Sequence, residues 1–309
     1  MEYLLLVLAV SCIAVQFNVN KVYQKKFVYG LKDMLFFPFI CGVVNIITFT
    51  ILGFIQYGGL PAFSVFSFFM SVILAVVSTL CAITGILIMK YGRMSAYSVY
   101  MMLGGMILPY FYGVIFLDES LTAARIIGLA ILICALPFSA INPKKNGEHS
   151  EKIKQPKFFY ILCVFIFILN GCNSIVSKAH SINSMAIPEV NFIFYVNLWQ
   201  MIINGAAFFI FTAITRDSYK QENIRQTASN KIQKILTIAV YAVISGTALL
   251  LLLISAKTVP AVALYPFVTG GSIVLSVTAA RIFLKEKISA PALVGIILAF
   301  GGTLLFLIN

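Results

Sequence analysis

The sequence predicts an all-α polytopic membrane protein, with ten transmembrane helices arranged as two inverted five-helix repeats. Three observations predict it. Apolar residues make up 61% of the 309 residues and charged residues only 10%, against about half and about a quarter in soluble domains. So few charges could not cover a water-facing surface, and the same apolar excess excludes intrinsic disorder. The apolar runs are continuous rather than alternating, which excludes a transmembrane β-barrel. Each run comes close to the roughly 20 residues that a helix needs to cross the hydrocarbon core. Finally, the chain resembles itself at a fixed spacing.

The expected spans are 3–22, 34–55, 66–89, 94–117, 122–141, 158–178, 190–214, 236–256, 260–283 and 289–308. The first follows Met1-Glu2-Tyr3, which lacks the basic stretch of a signal peptide, so it reads as a retained span. A basic polar linker at 142–157, carrying Lys144, Lys145, Lys152, Lys154 and Lys157, leaves five spans on each side. A second polar stretch, Arg216 to Lys234, separates spans seven and eight.

The repeat runs at an offset of 167. Ile115-Phe116-Leu117-Asp118-Glu119 matches Ile282-Phe283-Leu284-Lys285-Glu286, with Gly104 and Gly128 placed about it as Gly271 and Gly295 are. Lys90 matches Lys257, and Ala123 matches Ala290. The halves are therefore 1–141 and 158–309. An odd number of spans in each gives them opposite orientations, a transporter design with a site near the midplane. The first and sixth spans align more loosely, at an offset of 153, which pairs Asn20 with Asn173.

Two five-span halves that each carry Phe-Leu-x-Glu-x-(Leu/Ile)-(Ser/Thr), at 116–122 and 283–289, resemble the drug/metabolite transporter superfamily, and most nearly its EamA-type ten-span branch. The resemblance implies secondary transport of small metabolites or amino acids, often export. It names no substrate.

The 22 Lys and Arg against 10 Asp and Glu mark anchors at span ends rather than a nucleic-acid surface, so no nucleic-acid partner is expected. Nineteen of the 22 lie on the side of the linker that follows span one, which favours both termini outside; the resemblance implies the reverse. Six Cys (Cys12, Cys41, Cys81, Cys134, Cys163, Cys172) lie within apolar runs without a CxxC pair, and His149 and His180 are far apart. Neither a disulfide framework nor a metal or cofactor site is expected.

No carboxylate lies mid-span, whereas small multidrug-resistance proteins of the same superfamily carry a Glu in the first span. This chain has Gln16 and Asn20 there, on one helix face. Asn170 and Asn173, with Ser174 and Ser177, form a matching face on span six, and Asn197, Gln200 and Asn204 form another on span seven. Tyr97 and Tyr100 in span four, Tyr265 and Thr269 in span nine, and Trp199, the only Trp, are further candidates for contact with substrate. Gly104 and Pro109, with Pro266 and Gly271, make spans four and nine candidate moving gates, because proline removes a helix hydrogen bond. Close packing through small residues is the alternative for these glycines. Lys90 and Lys257 read as anchors or as anion-attracting groups. Glu119 and Glu286 read as caps on the starts of spans five and ten.

These residues point to a secondary transporter, with an exporter of a small polar metabolite or amino acid as the leading reading. A quaternary-cation efflux pump and an exchanger of carboxylates or phosphate esters are the alternatives. An enzyme is not expected, since no nucleophile or metal set lies within the spans. No GxxxxGK[ST] occurs, so transport runs on a gradient, the substrate's own or that of a coupling ion (H+ or Na+). The expected surroundings are the lipid bilayer of the cell membrane, as a monomer or a homodimer.

Overall fold

The structure, a computed structural model, describes residues 2–28, 30–59, 61–91, 94–139, 157–215, 228–283 and 290–306. Among them are ten α-helices and no strand: α1 (Glu2–Phe27), α2 (Leu31–Tyr57), α3 (Val65–Tyr91), α4 (Met94–Phe116), α5 (Ala123–Ser139), α6 (Lys157–Ile182), α7 (Glu189–Ile214), α8 (Ala228–Thr258), α9 (Ala261–Phe283) and α10 (Ala290–Leu305). Continuous helices satisfy every backbone polar group without water, and that is why apolar runs of this length take the helical form in a bilayer. Eight of these helices are long and apolar enough to cross a membrane. The described parts of α5 and α10 are shorter, 17 and 16 residues, or about 25 Å at the helical rise. The two pack along each other.

Several helices run past the expected spans, α1 to Phe27 rather than 22 among them. α8 starts at Ala228 rather than 236, and α6 continues to Ile182 rather than 178. Hydropathy marks the hydrocarbon layer, but a helix continues wherever its polar side chains find partners. Lys234 of α8 pairs with Asp33 of α2, and Lys178 of α6 is buried among carbonyl oxygens. The linker up to residue 156, the stretch 216–227 and Glu286 lie outside the described residues.

The helix contacts map onto themselves when the halves are exchanged. α1 packs on α8 and α9, while α6 packs on α3 and α4; α2 meets α7, α4 meets α9, and α5 meets α10. The bounds of α4 and α9 differ by 167 at both ends. Individual contacts repeat as well. A Cβ at Gly104 would run into the Phe167 carbonyl oxygen, and one at Gly271 would lie 2.9 Å from Val10. These paired contacts set α1 against α6 at an offset of 157. Gln16 then answers to Asn173, and Asn20 to Ser177, one turn away from the Asn20–Asn173 pairing expected at 153. Apolar side chains of spans one and six score alike in either register, so only the contact with the glycines decides between them.

Small residues set the packing distance. Hydrocarbon tails give apolar helices no reason to leave lipid, so association rests on close approach and on polar contacts. Gly104 lies on the α6 backbone, Gly128 lies against Gly302 and Phe306 at the α5–α10 contact, and Gly270 lies beside Thr303. α9 is the central member: 56% of its apolar stretch is buried, against 33% or less in every other span. The outward faces carry exposed Ile55, Ile115 and Ile214, as lipid contact requires.

Gly104→Ala should lower the thermal midpoint of the detergent-solubilised protein, by about 1–3 kcal/mol of stability, because the added methyl overpacks a rigid backbone contact. Gly301→Ala, where nothing lies within 4 Å of the new Cβ, should leave the midpoint unchanged.

Candidate functional site

A cavity of about 550 Å³ lies between the halves, within the range of small-molecule sites. Its wall comes from α1, α2 and α3 of the first half and α6, α7 and α8 of the second. It spans the inner half of α1 (Ile13 to Gln24), the first half of α2 (Met34 to Asn45) and the middle of α3, α6, α7 and α8. The cavity therefore starts near mid-membrane and opens toward the α1–α2 connection, the end where most of the basic residues lie.

The wall is rich in amides, and most of them are held by a hydrogen bond. Asn45 Nδ2 donates to Asn197 Oδ1 (3.0 Å), and Asn197 Nδ2 donates to the Ile193 carbonyl (2.8 Å), so a buried amide pair links α2 to α7. Ser78 of α3 donates to Asn173 Oδ1 (3.0 Å). Asn170 Nδ2 donates to the Met101 carbonyl of α4 (2.7 Å), and Gln16 Nε2 to the Tyr241 hydroxyl of α8 (2.9 Å). Asn45 Oδ1 is buried with no hydrogen-bond partner. Pro38 of α2 also lines the wall and removes the N–H that would pair with the Met34 carbonyl.

The opposite end is closed by charges at a helix break. α8 ends at Thr258 and α9 begins at Ala261, which leaves carbonyls and N–H groups without helical partners. Lys178 of α6 donates to the Ala256 and Val259 carbonyls at 2.7 and 2.8 Å. Glu119, from the α4–α5 turn, accepts from the Ala261 and Val262 N–H groups at 2.7 and 2.8 Å. Each charge sits at the helix end whose dipole favours it, and the two charges lie 4.0 Å apart. Asp118 holds φ at 50°, a left-handed conformation that Asp tolerates better than most residues. That turn brings the Glu119 N–H back to the Gly113 carbonyl (3.1 Å). The expectation that Glu119 caps α5 is thus corrected: it caps α9, in the other half of the chain. Lys257, read as an anchor or an anion site, is paired with Glu189 at the same end. Beside it His180 shares a hydrogen bond with Ser67 (3.0 Å) and stacks on Phe192.

Of the residues singled out in the sequence, Gln16, Asn20, Asn170 and Asn173 line the cavity, together with Ser174, Ser177, Asn197 and Gln200. The other described candidates lie outside its wall. Tyr265 stands one layer behind, its hydroxyl donating to the Ser174 carbonyl (2.6 Å). Thr269 is buried within α9. Tyr100 packs against the α3–α6 contact around Ile88 and Phe159. Trp199 meets Phe68 edge-on, with its indole nitrogen buried and unpartnered. Tyr97 belongs to α4, but its side chain lies outside the description. Gly104 and Gly271 sit at helix contacts with α6 and α1, and Pro109 and Pro266 lie within α4 and α9, away from the wall.

Sequence reasoning missed Asn45, Ser78, Tyr241 and Ser245, all in the wall. Asn45 is a lone amide in an apolar run, seven residues after Pro38 and so on the same helix face. That spacing was the available signal. A search for stripes of several polar residues passes over it.

A family model described as the EamA-like transporter family matches residues 158–308. A solved structure, titled only as the crystal structure of a protein, is similar over 98% of this chain and 96% of its own, with a TM-score of 0.70 and 12% identity. That likeness concerns the fold. No curated protein matches the chain.

Replacing Glu119 by Leu should cost about 3–5 kcal/mol, because it strands the buried Lys178 charge and two N–H groups. The double variant Glu119→Leu/Lys178→Met should lose less than the sum of the single variants. A double-mutant cycle of detergent unfolding midpoints measures that coupling.

Proposed function

Residues 158–308 match the EamA-like transporter family, and from that likeness we propose that this multi-pass membrane protein is a transporter of the drug/metabolite type that moves a small polar metabolite by alternating access. One observation carries the reading: an amide-walled cavity lies between two halves whose contacts exchange, open at one end and closed at the other by Glu119 and Lys178. The division into 1–141 and 158–309 supplies the two moving bodies. By the positive-inside bias the open end faces the cytoplasm, so this conformation loads or releases substrate inside, and export is the leading direction.

The reverse conformation needs the same closure at the basic end. At the 167 offset Glu286 is the counterpart of Glu119, and the start of α4 is the counterpart of the start of α9. Glu286 in this role caps α4 when the cavity opens outward. Gly104 and Gly271 then act as tight contacts about which α4 and α9 turn with their partners α6 and α1.

The cation-pump alternative is disfavoured because the described wall carries no Asp or Glu. Transport is driven by the substrate's own gradient or by H+ or Na+.

The purified chain in liposomes should show saturable counterflow of one class of compound, and imposed pH or Na+ gradients identify the coupling. Saturable movement absent under every gradient would sink the proposal. Glu119→Gln should raise labelling of a single cysteine at Ser255 from the outer side, and Glu286→Gln should lower it. Equal labelling in both variants would contradict the paired closures.

A further inference from the structure

We infer that the transported molecule is uncharged and rich in hydroxyl groups, of sugar-to-nucleoside size; this rests on the reading of the cavity as the transport site.

The described wall contains no Asp, Glu, Lys, Arg or His. Three charges beside wall residues or at the closed end are already engaged. Lys178 holds the carbonyls that end α8, Glu119 holds the start of α9, and Asp33 pairs with Lys234. Helix ends offer no substitute: the six wall helices run unbroken past the mid-membrane part of the cavity. A carboxylate or ammonium entering this space would give up its hydration and meet no opposite charge, and that is the costly case for a buried ion. A zwitterion would meet that cost at both of its ends.

What the wall offers instead is paired donors and acceptors. Asn20 Oδ1 accepts from Gln24, Asn173 Oδ1 accepts from Ser78, and Gln16 donates to Tyr241. Each of these three amides is thereby held with its other end still to be used. Asn45 donates to Asn197, and its own Oδ1 is a buried acceptor without a partner, set against Gly246 of α8. Hydroxyls donate and accept at once, so they match either end of an amide. Leu74, Val196, Leu249 and Leu252 form the apolar part of the same wall and suit the C–H faces of a sugar or a nucleoside.

The test uses the full-length chain in liposomes and counterflow of labelled glucose, ribitol and uridine. Glucose 6-phosphate, malate and tetraethylammonium form a charged arm, and leucine and threonine a zwitterionic arm. Saturable exchange should occur in the uncharged arm only. Asn173→Asp and Asn45→Asp, which keep side-chain shape and add a charge, should each reduce it by about tenfold or more, as intramembrane charge is costly. Asn173→Asp keeps its bond from Ser78 and should hold monodispersity and thermal midpoint close to the parent's, which separates selectivity from misfolding; Asn45→Asp loses the donor that pairs with Asn197 and should lower its midpoint. Saturable exchange confined to the charged or the zwitterionic arm would overturn this inference and leave the transporter reading intact. Exchange in no arm would overturn both. An uncharged substrate whose exchange is unaffected by either Asp variant would overturn the placement of its site at these amides.

Discussion

The break between α8 and α9 sets a helix C-terminus beside a helix N-terminus at one end of the bundle, and two charged side chains answer it. Without them, carbonyls and N–H groups would face a poorly hydrated environment unpaired. Lys178 comes from α6 and Glu119 from the α4–α5 turn, so satisfying this one break ties together four segments from both halves. The closed end of the cavity is a consequence of that requirement. So is the left-handed turn at Asp118, which aims Glu119 across the interface.

The rest of the packing follows from how little lipid contributes to helix association. Glycines allow α4 to lie on α6, and α5 on α10, at backbone distance. Side-chain amides do the remaining work where helices cannot close fully. Those amides occupy the space between α1, α2, α3, α6, α7 and α8, and the cavity forms where small packing residues give way to polar ones. Structural joints and candidate binding groups are therefore the same side chains, several of them using one end of the amide for the protein.

Much of this was legible in the chain. The helices, their order and the 167-residue repeat follow from apolar runs and from Glu identities that chance seldom produces. The polar faces of α1 and α6 were visible because Gln16 and Asn20, and Asn170 and Asn173, recur at helical spacing. Asn45 was not, because a single amide has no periodicity. The aromatic candidates lie outside the wall, and for a different reason. Tyr100, Trp199 and Tyr265 are as good for filling helix contacts as for lining a cavity, and sequence carries no sign of which face a given turn presents.

Sequence by itself determined the class, the number of helices and where Phe-Leu-x-Glu falls between them. Only the tertiary structure decided what that motif's Glu119 does, since its partners lie 142 and 143 residues away. It also decided the register of α1 against α6 and the end at which the cavity opens. Periodicity records a helix's own faces, whereas register and capping across halves depend on which backbones approach within a few ångströms, and that is fixed only when all the helices pack together.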